Sequence, residues 1–316
     1  MAEVPQIPED QKSEPKILTE VNYRPGQKNK VAFFSSLETL PIKHAFSWGK
    51  ESGNMSPDFS GEEGEGAVVA RIKDFLEASE MEYRNDANTA GIFEGSHLQM
   101  QEIVFEDLKD QPETRFESNF MFTRDPRVLL SIRPGDCNAS ILYAKDRMGR
   151  DLVGIIHSSA QSANAGLPRY AIEYLIQEED VDISTIKIGI TPGISRKHYS
   201  INQESDAIKN QTIDRVIVER NWKQHIDQHD PSQGDEQRRH VDILGATIMQ
   251  YVEAGVSPEN IEAIDVDTWE ASARGESFSR EHSNEIGKPQ GRYMVAVQLK
   301  NKIAEMPVLK ALAKAA

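Results

Sequence analysis

A chain of 316 residues with 51 acidic against 36 basic side chains carries a net charge of −15. Such a field repels phosphate backbones and anionic lipid headgroups, which excludes general binding of nucleic acid or of a membrane surface. No apolar run approaches the ~20 residues that span a bilayer. The N-terminus lacks a basic-then-apolar secretory pattern, and the single cysteine, Cys137, cannot form an internal disulfide. The expectation is a soluble, cytoplasmic protein.

In chain order, residues 1–28 are rich in Pro, Glu, Gln and Lys and read as a disordered N-terminal arm. Val31 to Ser35 and Ile42 to Trp48 follow as strands. Lys50 to Gly66 is a polar, Gly-rich loop, and a loop of that length inside a domain is functional or disordered. Its SGEEGEG run lacks the following Lys-Ser/Thr of a phosphate-binding loop. Ala67 to Glu80 places Val68, Ile72, Phe75 and Leu76 at helical spacing. Ile92 to Leu108 alternates as two strands, and VLLSIR, SILYA and LVGIIH are three more between Val128 and His157.

Leu167 to Gln177 is helical, and Ile186 to Ser195 is a buried strand closed by a Pro-Gly turn. Ser205 to His240 is a polar surface excursion, helical in part, whose HIDQHD run reads as solvated and not as a metal cluster. Val241 to Ala254 is an amphipathic helix, IEAIDV a strand, and Arg292 to Leu299 the last strand. Without repeats or a clear linker, these elements make one α/β (α+β) domain over 29–302, mixed β-sheet layers flanked by helices, with a C-terminal tail at 303–316.

The turn chemistry of Lys145 to Asp151 joins two apolar strands. If Lys145 faces Asp151, then His157 faces Ala139, and Cys137 lies two residues further along the same face. Cys137 and His157 are then diagonal neighbours, provided the register does not slip by one. Three readings stay open: ordinary core, a Cys–His nucleophile pair, or two metal ligands.

At Gly135-Asp136-Cys137 and at His157 to Ser162 the sequence resembles the YfiH-like family, also called the multicopper polyphenol oxidoreductase (laccase-like) family. That family has an Ala-Asp-Cys motif on one strand and a His-Ala-Gly-Trp-Arg-Gly motif after the next. Further segments fall in the family's order: Lys43 to Trp48, Ser96 to Val104, Asn119 to Thr123, Thr191 to Ile201, and the C-terminal stretch ending in RYMVAVQL. The resemblance implies a sandwich fold like that of cysteine hydrolases. It also implies a metal triad of His97, Cys137 and His157, suited to zinc more than to copper. One cysteine and few clustered histidines cannot build several copper sites. The implied activity is phosphorolysis of purine nucleosides, deamination of adenosine, or both, with a nucleoside and phosphate as small-molecule partners.

The sequence departs from the family's pattern at its cations. Gly49 stands where the family has Arg, Ala160-Gln161 where it has Trp-Arg, Asn138 where it has Pro, Glu281-His282 where it has paired Arg, and Asp267 where it has Cys. Lys50, Arg280, Arg292 and Arg196 remain to hold phosphate, a task in which Lys cannot copy a bidentate guanidinium. The alternatives are a metal-independent Cys–His hydrolase or deamidase and a non-catalytic relative that binds a ligand or a protein.

Overall fold

The computed structural model describes residues 14–28, 30–82, 89–93, 98–108, 113–202, 226–228 and 238–301. Two seven-stranded mixed sheets face one another. The first runs in the order Lys16–Leu18, Ile261–Ile264, Lys187–Ile190, Asn138–Lys145, Asp151–Ser158, Phe120–Thr123 and Met100–Glu102. The second runs Asn22–Tyr23, Val31–Phe33, Ile42–Ser47, Val295–Leu299, Leu129–Ile132, Thr89–Phe93 and Thr114–Glu117.

Alternation along the strands assigns three apolar layers. Ile141, Tyr143, Val153 and Ile155 of the first sheet meet Leu130, Ile132, Val295 and Val297 of the second in one central core. Their chain neighbours Leu142, Leu152 and Ile156 point the other way, onto helices Leu167–Gln177 and Ile243–Glu253. On the far side Leu129, Met294 and Ala296 pack against helix Glu65–Ala78 through Val68, Ile72, Phe75 and Leu76, the residues its spacing singled out. Central strands buried on both faces explain the continuous apolar runs in the sequence.

The hairpin register is the one the turn implied. Lys145 pairs with Asp151 and Ala139 with His157. The strand begins at Asn138, so Cys137 sits in the bend just before it, not in the strand proper.

One expectation is corrected. Residues 14–28 are not an arm: Lys16–Leu18 adds in parallel to Ile261–Ile264, and Asn22–Tyr23 pairs with Val31–Phe33. Leu18, Val21 and Tyr23 pack on the central core, and Lys16 reaches the buried Glu262 at 3.2 Å. Composition averaged over the segment hid these few apolar positions. Within the polar excursion, Ile226–Gln228 and Arg238–Val241 form a three-stranded sheet with Ser200–Asn202. The rest of that excursion, including its helical reading and His225, His229 and Asp230, lies outside the described residues, as do residues 1–13 and the tail at 303–316.

Packing between the sheets is tight at Gly189. A Cβ built there comes within 2.5 Å of the Phe34 ring, which is fully buried. Gly189→Ala is expected to cost about 1–3 kcal/mol by overpacking. Urea unfolding checks this through a lower midpoint at unchanged slope.

Candidate active site

The bend Gly135–Cys137 is tied down from three directions. Tyr293 N donates to Pro134 O (3.2 Å), Ile194 N donates to Asp136 O (2.8 Å), and the buried Tyr293 hydroxyl donates to Cys137 O (3.2 Å). The Asp136 side chain points away from solvent and collects hydrogen bonds from Thr268 Oγ1 (2.9 Å), Glu281 N (3.0 Å) and the Ser279 side chain. Burial nevertheless pushes its carboxyl above the usual range. Asp136 thus clamps the start of helix Arg280–Glu285 against the cysteine bend.

His157 is 8% exposed, one residue before the end of its strand. Its backbone N–H donates to Asn119 O (2.8 Å), and its ring Nδ1 meets Asn119 Oδ1 at 2.9 Å. A carboxamide oxygen only accepts, so in this contact Nδ1 is the donor. The serines after it serve structure: Ser159 caps helix Ala160–Ala165, accepting from Ser162 N, while Ser162 Oγ donates to His157 O (2.7 Å).

Cys137 and His157 open into one cavity of about 210 Å³. Four guanidinium side chains, Arg115, Arg133, Arg280 and Arg292, line it too. Arg292 lies over the Phe59 ring at 4.2 Å from its centroid, and burial, then the neighbouring Arg280, lowers its pKa. The Arg280 pKa is raised, because Glu281 and Cys137 outweigh the effect of burial. Arg133 is held by Glu113 at 2.6 Å, and Arg115 by Asp58 at 2.9 Å. Three of the four guanidinium groups, Arg115, Arg133 and Arg280, are thus ion-paired, and the carboxyl groups of Asp58 and Asp136 also line the cavity. It offers a thiol and an imidazole beside places for an anion.

The family model for multi-copper polyphenol oxidoreductase laccase matches residues 76–300, more than half of the chain. The chain belongs to this family.

The fold is similar to that of Bacillus licheniformis hypothetical protein YfiH, with a TM-score of 0.68 at 16% identity, over 86% of this chain and 97% of that one. YlmD from Geobacillus stearothermophilus gives 0.66 at 16%, over 89% and 100%. A Neisseria meningitidis protein gives 0.60 at 12%, over 83% and 96%. No curated protein matches the sequence.

Of the residues that the laccase-family resemblance pointed to, Cys137, His157, Arg280 and Arg292 share the cavity. His97 lies outside the described residues. Lys50 is exposed and lines a different cavity, and Arg196 lines a third. Gly49, in the place of a family arginine, has φ 101° and donates its N–H to Glu276 O at 2.7 Å. Position 49 therefore serves a turn.

Sequence reasoning missed Arg115 and Arg133. Arg133 follows its strand directly and stands four residues before Cys137, a local signal within reach. Nothing local marks Arg115, whose strand joins the sheet edge beside Thr89–Phe93.

Cys137 and His157 offer one thiol and one imidazole to the same cavity, two of the three or four protein donors that a zinc-type ion takes, and the hydrogen bond between Asn119 and the far ring nitrogen is the usual support of a ligating histidine. A second group with donor atoms for a metal, His198, Asp267 and Glu270, has those atoms within 4.8 Å of one another and lies away from the cavity lining. Its members already satisfy each other and their neighbours. Asp267 accepts from Ser195 and His198 at 2.5 Å and caps helix Thr268–Ala273, while Lys197 pairs with Glu270 at 2.8 Å.

Proposed function

We propose that the chain is a zinc-dependent enzyme of purine nucleosides, cleaving the glycosidic bond with phosphate, deaminating adenosine, or both. The observation that supports this reading is the cavity itself, whose wall Cys137 and His157 share with Arg280 and Arg292. Cys137, His157 and, by resemblance, His97 would hold the ion, which supplies a Lewis acid and an activated water near neutral pH.

The chain's own residues do the rest. Asn119 fixes the His157 ring, while Tyr293 and Asp136 fix the cysteine bend. In phosphorolysis a phosphate oxygen bonds to the anomeric carbon as the bond to the purine nitrogen breaks, and the purine takes the electron pair. Guanidinium groups facing the cavity hold the phosphate and oppose the negative charge that accumulates. The sequence departures had removed several cations; Arg115 and Arg133 add guanidinium donors to the cavity wall, each already paired with an acid, Asp58 and Glu113.

A second reading has its own observation. Cys137, His157 and Asn119 follow the order thiol, imidazole and carboxamide, with Arg280 close enough for the Cys137 charge to raise its pKa. That order suits a metal-independent Cys–His hydrolase or deamidase, in which the imidazole takes the thiol proton.

Elemental analysis of purified protein, run with adenosine and inosine turnover in the presence and absence of phosphate, separates the two. The first reading expects about one zinc per chain and turnover that a chelator removes. Zinc-free protein that is inert on nucleosides, and whose Cys137 is alkylated rapidly at neutral pH, supports the second.

A further inference from the structure

Of the four arginines on the Cys137 cavity, Arg292 alone makes no ion pair among the described residues. Its terminal nitrogens donate to Gly291 O (2.7 Å) and Gln290 Oε1 (3.2 Å), both uncharged. Its guanidinium carbon lies 4.2 Å from the centroid of the Phe59 ring, a cation–π contact. On the side of the cysteine bend, a Cβ built at Gly135 comes within 3.3 Å of an Arg292 terminal nitrogen. The guanidinium therefore reaches from the Phe59 ring to the bend that carries Cys137.

The ring is held in place through its own loop. Phe59 ends the short helical turn Pro57–Phe59. The buried Asn54 carboxamide donates through Nδ2 to Ser56 O (3.2 Å) and Phe59 O (2.8 Å). Its Oδ1 accepts from Ser56 N and from Arg292 N, both at 3.0 Å. One side chain thus fixes the backbone of ring and guanidinium together, so a ligand has little left to order.

Phe59 nevertheless stays 37% exposed, and it is the one benzene ring among the described residues that line the cavity. An apolar ring left that open on a cavity wall is surface for a ligand. One face is taken by the guanidinium, so the exposed surface belongs to the rest of the ring. A cation on one face draws π density from the other, which favours a flat, electron-rich heteroaromatic ring there.

We propose that Phe59 is the platform on which the cavity holds a planar heteroaromatic base, and that it sets the preference of this site for nucleosides over other glycosides. This role of Phe59 rests on the nucleoside reading of the Cys137 cavity and adds the residue that recognises the base. Stacking uses the π face of a base and not its hydrogen-bonding edge, so Phe59 selects purines as a class and separates adenine from hypoxanthine poorly.

The test is calorimetric titration of the full chain with adenine and hypoxanthine, with ribose and inorganic phosphate as controls that carry no aromatic ring. Phe59→Leu keeps apolar bulk and removes the π face. It is expected to weaken both bases by about tenfold while phosphate affinity stays as in wild type. Phe59→Tyr, which keeps the ring, is expected to bind both bases as wild type does. Base affinities of Phe59→Leu equal to wild type overturn the proposal, as does wild-type protein that binds neither base at millimolar concentration. Loss of phosphate and bases in equal measure by Phe59→Leu also overturns it, since the ring then acts only by holding Arg292. Wild-type protein that turns over no nucleoside, yet binds bases that Phe59→Leu loses, overturns the reaction and supports the platform.

Discussion

Cys137→Ala is expected to lower turnover by at least about a thousandfold, because groups that act as a unit at a reacting centre lose nearly all of their effect together. The cavity holds no second thiol to take over, since Cys137 is the only cysteine in the chain. The fold should survive the change. The bend is held through Pro134 O, Asp136 O, Cys137 O and the Asp136 carboxylate, none of which the substitution removes. The measurement pairs turnover with zinc content. A ligand role predicts that zinc falls with activity, whereas a nucleophile role predicts lost activity with no metal change. A variant that keeps wild-type turnover removes Cys137 from the chemistry altogether.

Glu113→Gln is expected to destabilise the fold by about 3 kcal/mol, the low end of what breaking a buried ion pair costs. Glu113 accepts from Arg133 at 2.7 and 2.6 Å and from Ser131 Oγ at 2.9 Å, with both charged partners only 13% exposed. Gly91 leaves room for this carboxylate, since a Cβ there comes within 2.5 Å of Glu113 Oε1. Burial raises the Glu113 pKa, but the Arg133 charge and hydrogen bonds outweigh it, so the carboxyl sits below its usual range.

The sign of the pH effect follows from that lowered value. The unfolded chain takes up the proton first as pH falls. The stabilisation is therefore complete above the ordinary carboxylate range and disappears as pH drops through the folded-state value. Wild type and Glu113→Gln should differ most at neutral pH and converge in acid, as measured by urea midpoints across a pH series. A difference that does not change with pH would falsify the ion-pair account. The same variant releases Arg133 and loosens Arg115, whose Nε lies 3.6 Å from Glu113, so under the proposed function phosphate affinity at the Cys137 cavity should rise.

Much of the fold was legible because its signals are local. The short continuous apolar runs gave the central strands, and the turn residues between Lys145 and Asp151 gave the pairing of Ala139 with His157. The 3.6-residue spacing of Val68, Ile72, Phe75 and Leu76 gave the buried face of a helix. Local reading failed where few residues carried the pattern, as at Lys16–Leu18. That three-residue strand is held by a distant partner, Ile261–Ile264, which its own composition does not reveal.

The candidate site divides in the same way. By itself the sequence determined the hairpin register that sets His157 opposite Ala139, because a turn fixes register, while Arg280 and Arg292 entered through the family resemblance together with Lys50 and Arg196. Only the tertiary structure decided that Arg115 and Arg133 join the Cys137 cavity, that Lys50 belongs to another cavity, and that Asn119 holds the His157 ring. The reason is the strand order. Residues from both sheets converge at one place through pairings between segments far apart in the chain, and no periodicity within a short window encodes which strands become neighbours.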